Sequence, residues 1–430
     1  MTALRIMSCD PLTSLQDFGR PGLSRLGIPR SGAMDPLALR VANALVGNAA
    51  NEAAIELTLG SIRVVAEGGP VRLAVTGAPA DIDIAGTRMS HHASLVLDDG
   101  ETLTVRRPRT GVRTMLAVAG GFDIATELAS RSLYARAALG GLGGRALVAG
   151  DRLPLRLAAA PYRALELACE PVPLCGDAPV RIILGPHADL FTDTAIAALL
   201  AAPYRISHAS DRMAYRLDGP PLAAPRLEPD RPRELASQGV LSGAIQIPPD
   251  GMPLVLMADC QTVAGYPRIA TILTRDLRRV AQSRPGDVVR FAAIGIDEAM
   301  SLARIAAAEP LRVRPLRHRG RVTGAATATA LAHVATLPST RSIWRAGMHA
   351  DSPVRRSTMC ARARIRLRGN TGRARFPSVR ARRGSDTRAA RPARCPWSGC
   401  RTALASARAD RPPDACRRSR PRRATPSRSA

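Results

Sequence analysis

Residues 238–267 read QGVLSGAIQIPPDGMPLVLMADCQTVAGYP. Pro248-Pro249-Asp250-Gly251 is a tight-turn signal, because Pro fixes φ and Gly permits φ > 0. Leu254-Val255-Leu256-Met257 is a continuous apolar run, the pattern of a strand covered on both faces. The run ends abruptly in Asp259, Cys260, Gln261 and Thr262, and Gly265-Tyr266-Pro267 turns the chain again. A buried strand that delivers a carboxylate, an amide and a hydroxyl to a Gly-bounded loop is a common way to build a site. Composition alone favours a plainer role, in which Asp259 and Gln261 satisfy loop backbone groups.

Upstream, the chain has the rhythm of a β protein. Ile62–Val65, Val71–Val75, Ser94–Leu97, Thr102–Val105 and Thr114–Val118 are short apolar runs separated by Gly- and Asp-rich turns. That spacing predicts a barrel or sandwich. Val180–Gly185 opens a second strand set. Residues 139–145, LGGLGGR, lack the strand-to-helix context of a phosphate loop and read as a plain flexible turn. Short helices are expected over Thr194–Ala201 and Asp297–Ala308.

Residues 15–35, LQDFGRPGLSRLGIPRSGAMD, are dense in Gly and Pro and form a long shaped loop with Gln16, Asp17, Arg20 and Ser31. A helix follows. Asp35 suits its N-cap, Pro36 its first position and Gly47 the position past its end. Ser31-Gly32-Ala33 precedes that N-terminus, where free N–H groups are able to hold an anion, or the helix is simply capped behind a structural loop. Arg212, beside Asp211 in the polar turn 210–216, makes either an ion pair or an anion clamp.

Composition divides the chain. Its 62 basic residues are all Arg, against 35 acids. From Leu311 onward there are 30 Arg and four acids, leaving 32 Arg and 31 acids before it. The high charge belongs to the tail, which lacks apolar periodicity and is expected to be disordered. It binds nucleic acid only non-specifically, adheres to acidic membrane, or is the translation of a GC-rich gene out of frame. The lack of Lys excludes a P-loop, Schiff-base catalysis and an attached biotin on this chain. Eight Cys without a C-x-x-C pair read as free thiols in a reducing cytoplasm, and no metal is expected. No signal peptide and no membrane span are expected.

GRPG (19–22), SGAMDPLALRVANALVGN (31–48), SDRMAYRL (210–217), GAIQIPPDG (243–251) and LMADCQTVAGYP (256–267) carry a resemblance. Over about residues 4–305 the chain resembles the biotin-dependent carboxyltransferase-like family. That family includes the C subunit of 5-oxoprolinase, the sporulation-kinase regulator KipA, allophanate hydrolase subunit 2 and the second half of the urea carboxylase transferase domain. The resemblance implies a mainly β fold with cyclophilin-like β-barrel units and a few short helices. The expected division is a β-rich unit at 1–160, a linker at 161–178, a second β-rich unit at 179–310 and the tail at 311–430. It also implies partners, the A subunit of 5-oxoprolinase together with its KipI-like B subunit, ATP being handled through the complex. The implied function is opening of a small amide or lactam. The alternatives are a KipA-like regulator of a KipI-like kinase inhibitor, or carboxylation of urea with carboxybiotin. The chain is expected to be inactive alone.

An amide needs donors for its oxygen and an acceptor for its N–H. Asp259, Gln261, Asp17, Arg20 and Asp211 are the expected catalytic residues. Ser31, Gly32, Asp35, Arg212, Gln246 and Tyr266 are expected to bind substrate. Asp259→Ala and Gln261→Ala are expected to abolish activity while leaving stability nearly intact. Against the family pattern, Cys260 replaces a larger polar residue and Ala264 a glycine.

Overall fold

The computed structural model describes residues 1–157, 167–169, 174, 178–222 and 235–315, all within one compact unit, Met1–Val354. Most of the expected linker, Cys175 and the basic tail beyond Pro315 with its four cysteines lie outside the described residues.

The first half holds eleven strands: β1 (Ala3–Cys9), β2 (Ser14–Gln16), β3 (Ala54–Thr58), β4 (Ile62–Glu67), β5 (Val71–Gly77), β6 (Ile82–Ile84), β7 (Thr87–Met89), β8 (Ser94–Leu97), β9 (Thr102–Val105), β10 (Arg113–Val118) and β11 (Arg152–Pro154). They form a six-stranded sheet, β11-β1-β4-β9-β6-β7, and a five-stranded sheet, β2-β3-β10-β5-β8. Leu4, Ile6, Val64 and Leu103 of one sheet and Leu57, Leu73, Val75 and Leu116 of the other join one core. Successive side chains point to opposite faces of a strand. Ala74, Met115 and Ala117, the alternate residues of β5 and β10, therefore meet Leu39, Val41 and Leu45 of helix α1 (Pro36–Val46). A sheet covered by its partner on one side and by α1 on the other accounts for the six consecutive buried residues of β10.

α1 starts and stops as its sequence predicts. Asp35 accepts from Ala38 N at 3.1 Å, Pro36 opens the helix, and Gly47 closes it in the left-handed region at φ 78°.

The second half is built on an eight-stranded sheet, beside which Gln238–Gly239 pairs with Val263–Ala264. In spatial order the strands are Val288–Val289, Tyr204–Ile206, Ala214–Asp218, Leu254–Leu256, Ala244–Gln246, Arg268–Ile272, Val180–Leu184 and Phe291–Ala293. Its two edge strands are parts of one segment, separated in sequence only by Arg290, so the sheet wraps into a nearly closed barrel. Val255 packs in the barrel core and Leu256 in a second cluster with Val240 and Cys260, which covers both faces of that strand as expected. The turn at Pro248–Gly251 forms, with Gly251 N donating to Pro248 O at 2.9 Å and Gly251 at φ 78°.

Helices α2 (Asp193–Ala201) and α4 (Ile296–Ala308) lie where expected to within one residue. Between them is α3 (Thr274–Ala281), which the apolar pattern did not indicate because ion pairs seat it. Asp276 is 3% exposed and takes Arg181 at 2.6 and 2.8 Å. Residues 139–145 form a turn, as expected, with Gly143 at its exposed tip, but Gly140 is packed tightly. A Cβ on Gly140 would lie 2.1 Å from Ser132 O and 2.3 Å from Arg20 Nη2. The ordered body also runs past 311. Val313–Pro315 pairs with Leu167–Cys169, and Leu311 and Val313 pack beside α1.

Candidate functional site

A cleft of about 270 Å³ opens between the two β units. The first unit contributes Ser14, Gln16, Thr58, Arg113 and Leu133; the second contributes Ser210, Asp211, Arg212, Met213 and Asp259. The backbone brings the last group together. Met257 N donates to Met213 O and Asp259 N to Arg212 O, each at 2.8 Å, so the 256–262 motif runs beside the 210–217 motif.

Arg212 ties the two units. Its Nε donates to Asp259 Oδ2 at 2.8 Å and its Nη2 to Asp259 Oδ1 at 3.0 Å. Nη1 donates to Glu56 Oε1 and Nη2 to Gly32 O, both at 2.6 Å. Burial acts to lower the Arg212 pKa, but the carboxylates of Glu56 and Asp259 outweigh it and hold the pKa above its ordinary value. Of the two open readings of Arg212, the ion pair is the one observed, though its partner is not the adjacent Asp211. Asp211 caps its own turn through Met213 N at 2.7 Å and faces Arg136 at 3.6 Å on the exposed rim.

The loop 17–35 forms the wall behind this triad. Asp17 is 4% exposed, and its carboxylate takes Gly19 N, Ser130 Oγ, Arg131 N and Ser132 Oγ at 2.6–2.7 Å. Four donors saturate it, so its geometry is that of a loop anchor. Arg20 is 1% exposed and donates to the carbonyls of Glu127 and Ser132 at 3.1 and 2.7 Å. Burial lowers its pKa, opposed by the charges of Asp17, Glu127 and Asp259.

Most of the N–H groups that an anion at 31–34 would need are already used within the protein. Ser31 N donates to Ala258 O, Ala33 N to Asp17 O and Met34 N to Glu56 Oε2, at 2.8–3.0 Å. Gly32 sits at φ 95°, and a Cβ there would lie 2.8 Å from Gly19 N and Phe18 C. Its role here is close packing and a carbonyl for Arg212. Ser31 Oγ is buried without a hydrogen-bond partner.

Other expected residues lie elsewhere. Asp35 is fully buried and, besides capping α1, accepts from Arg278 Nε at 3.1 Å and Gln282 Nε2 at 2.8 Å. Gln246 is buried and reaches Tyr266 O at 3.5 Å. Neither Gln246, Tyr266 nor Gln261 lines the cleft. Gln261 is half-buried and makes no side-chain hydrogen bond to the described residues. Asp259 is 7% exposed and ion-paired, so Asp259→Ala removes a buried partner and its expected neutrality toward stability does not hold. Glu56 was missed by sequence reasoning. Its signal was an acid inside the otherwise apolar run Ala53–Leu57, most of which is β3.

The Cys260 thiol is pushed up to about 11, first by burial and then by Asp259, so it stays protonated at neutral pH and is a poor nucleophile. Among the described residues no group of three or more His, Cys, Asp or Glu is placed to hold a metal ion. No described helix is long and apolar enough to cross a membrane.

Fold and cleft together define a mostly β protein with an ion-paired cleft between two β units. The family model of the carboxyltransferase domain, subdomain A and B, matches residues 26–293, and the chain belongs to this family. It is 38% identical to the C subunit of 5-oxoprolinase from Escherichia coli (strain K12) over 297 residues, 69% of this chain and 93% of that protein. Among solved structures it is similar to TTHA0988, with a TM-score of 0.60 and 32% identity over 68% of this chain and 56% of that one. The urea carboxylase of Kluyveromyces lactis matches with a TM-score of 0.63 and 26% identity over 70% of this chain. The chain thus spans little over half of the first structure and 28% of the second.

Proposed function

We propose that the chain is the lactam-binding subunit of an ATP-dependent 5-oxoprolinase, which opens 5-oxoproline to glutamate and includes two partners, its A subunit together with a KipI-like B subunit. The observation that carries this reading is the identity to the C subunit of Escherichia coli 5-oxoprolinase over 93% of that protein. The cleft supplies compatible chemistry. Arg212 commits four of its five N–H donors to Glu56, Gly32 and Asp259 and keeps one on Nη1. That donor meets the lactam oxygen. Asp259, whose two oxygens each accept one bond from Arg212, retains lone pairs for the lactam N–H. Arg212 is locked in place before substrate arrives, which is how a fixed dipole stabilises developing charge without reorganising. Asp17 and Arg20 act through the loop they hold. ATP enters through the partner subunits, since this chain has no Lys with which to build a phosphate loop.

The test is reconstitution with both partner subunits. Asp259→Asn should lower kcat at least about 100-fold, the scale of losing a positioned acid–base group. The purified chain alone, given ATP and 5-oxoproline, should release no glutamate. Wild-type turnover by Asp259→Asn would remove Asp259 from the chemistry. The likeness to Kluyveromyces lactis urea carboxylase supports a second reading, carboxyl transfer to urea. Urea-dependent consumption of carboxybiotin, with no turnover of 5-oxoproline, would establish that reading instead.

A further inference from the structure

The cleft contains one charge that the described residues leave without a counter-ion. Arg113, the first residue of β10, is 3% exposed and lines the cleft. Its Nη1 bonds to the Thr58 hydroxyl and its Nη2 to the Tyr215 hydroxyl at 3.2 Å. Its Nε is buried and has no partner. A buried guanidinium facing only neutral groups is unfavourable unless something else compensates it. Elsewhere the protein provides an acid: Arg212 has Glu56 and Asp259, and Arg278 has Asp35. Arg136, the third arginine on the cleft, faces Asp211. Arg20 also lacks an ion pair, but carbonyls occupy two of its nitrogens and it does not line the cleft.

The side chain is held in a built mount. Gln282 Oε1 accepts from Arg113 N at 2.8 Å, and Gln282 Nε2 donates to Arg113 O at 3.0 Å. Gln282 is fixed in turn by Asp35 at 2.8 Å. Tyr215 gives its one hydroxyl proton to Ala281 O at 3.3 Å, so its oxygen is left to accept from Arg113. The two hydroxyls aim the guanidinium without discharging it. Leu12, Leu133, Ala135 and Met213 make part of the same cleft apolar, which suits a small ring.

From this geometry we infer that Arg113 binds the carboxylate of a small cyclic amide acid, so that the cleft selects a lactam bearing a carboxylate over neutral lactams and urea. The inference rests on the lactam reading above and names the feature by which that substrate is recognised. Arg113 is the specificity residue; Gln282 and Tyr215 are its positioning residues.

The experiment uses the full chain assembled with its partner subunits. Equilibrium binding of 5-oxoproline, its carboxamide and 2-pyrrolidone is measured, along with steady-state turnover of 5-oxoproline. Wild type should prefer the carboxylate over both neutral lactams by at least tenfold. Arg113→Gln should erase that preference and raise KM for 5-oxoproline roughly ten- to hundredfold, the range for hydrogen bonds to a charged group, with a smaller change in kcat. Arg113→Lys should restore part of the preference, and Tyr215→Phe should raise KM less than Arg113→Gln does. A folded Arg113→Gln complex that keeps the preference overturns the inference, even if its stability falls, because Arg113 is then only a counterweight to the acids of the triad. If Arg113→Gln does not fold, unchanged preference in Arg113→Lys and Tyr215→Phe overturns it equally. Absence of any preference in wild type also overturns it. If the complex turns over 5-oxoproline but its KM is insensitive to Arg113, the inference fails and the lactam reading stands. An Arg113-dependent preference without turnover would leave the carboxylate site standing and refute the lactam reading.

Discussion

Replacing Arg212 with Met is the most informative perturbation of this molecule. The side chain of Glu56 is 1% exposed and that of Asp259 10%, and Arg212 is the cation between them. Met keeps much of the stem volume and removes the charge. Four hydrogen bonds are lost, and Gly32 O loses the donor that Arg212 supplies. Glu56 and Asp259 are both left without the cation they share. Breaking a buried pair by removing one partner costs about 3–5 kcal/mol. With two acids orphaned, the upper half of that range is expected at pH 8. The loss relative to wild type should shrink toward pH 5, because a proton discharges an orphaned carboxylate. Urea denaturation of both proteins at the two pH values measures this, provided the denaturant slope is unchanged. Glu56→Gln added to Arg212→Met should recover part of the loss. A single-variant loss below about 1 kcal/mol at pH 8, or one independent of pH, would show that the triad is solvated and that Arg212 does not hold the two β units together.

Three further outcomes are expected. His91 and His92, whose Nδ1 atoms lie 2.6 Å apart, have pKa values lowered to about 3 and about 4. Burial is the main cause for both, followed for His91 by the charge of His92, and for His92 by Asp35 acting upward and Arg278 downward. The unfolded imidazoles bind protons first, so this stability is full above pH 6.5 and is lost as pH falls toward 4, by an amount on the order of a few kcal/mol for the pair. Denaturation midpoints should therefore drop between pH 7 and 4.5 more steeply in wild type than in His92→Gln, and parallel curves would argue against the pair. Gly32→Ala places a Cβ 2.8 Å from Gly19 N at φ 95° and should lower stability by about 1–3 kcal/mol while impairing turnover; a neutral result in both assays would mean the loop adjusts freely. A chain ending at Pro315 should melt like the full chain, whereas one ending at Glu309 loses Leu311 and the Val313–Pro315 strand and should melt lower; equal melting of the two truncations would make that strand dispensable.

Where sequence and structure agree, the cause lies within a few residues. Asp35, Pro36 and Gly47 bound α1 by local chemistry, and the strands of the first unit announce themselves by apolar runs between turns. Asp259 and Arg212 stand out in the sequence because polar residues interrupt those runs. Pairings across long separations are not visible there. Glu56 lies 156 positions from Arg212, and Gln282 lies 169 from Arg113. Asp35 and Asp17 read as facing substrate, but a carboxylate in a sequence does not reveal how many donors will surround it. α3 is invisible for a related reason. Its buried residues include Asp276 and Arg278, whose burial depends on Arg181 and Asp35 in other segments.

The same pairings place stability and chemistry on one set of groups. Asp35 caps α1, receives Arg278 from α3 and steadies Gln282, which grips the backbone of Arg113. Glu56 holds Met34 N with one oxygen and Arg212 with the other, linking the end of the 17–35 loop to the barrel. The cleft therefore exists only while both β units are docked, since each arginine that defines it is anchored by residues of the other unit. A fragment carrying either unit alone would present Arg113 without Gln282 and Tyr215, or Arg212 without Glu56. Low-dielectric surroundings make such charges costly to leave unpaired and effective when paired. Docking of the two units and assembly of the site are thus one event, and variants that loosen the seam should lose turnover in proportion to the docked population rather than through the chemistry.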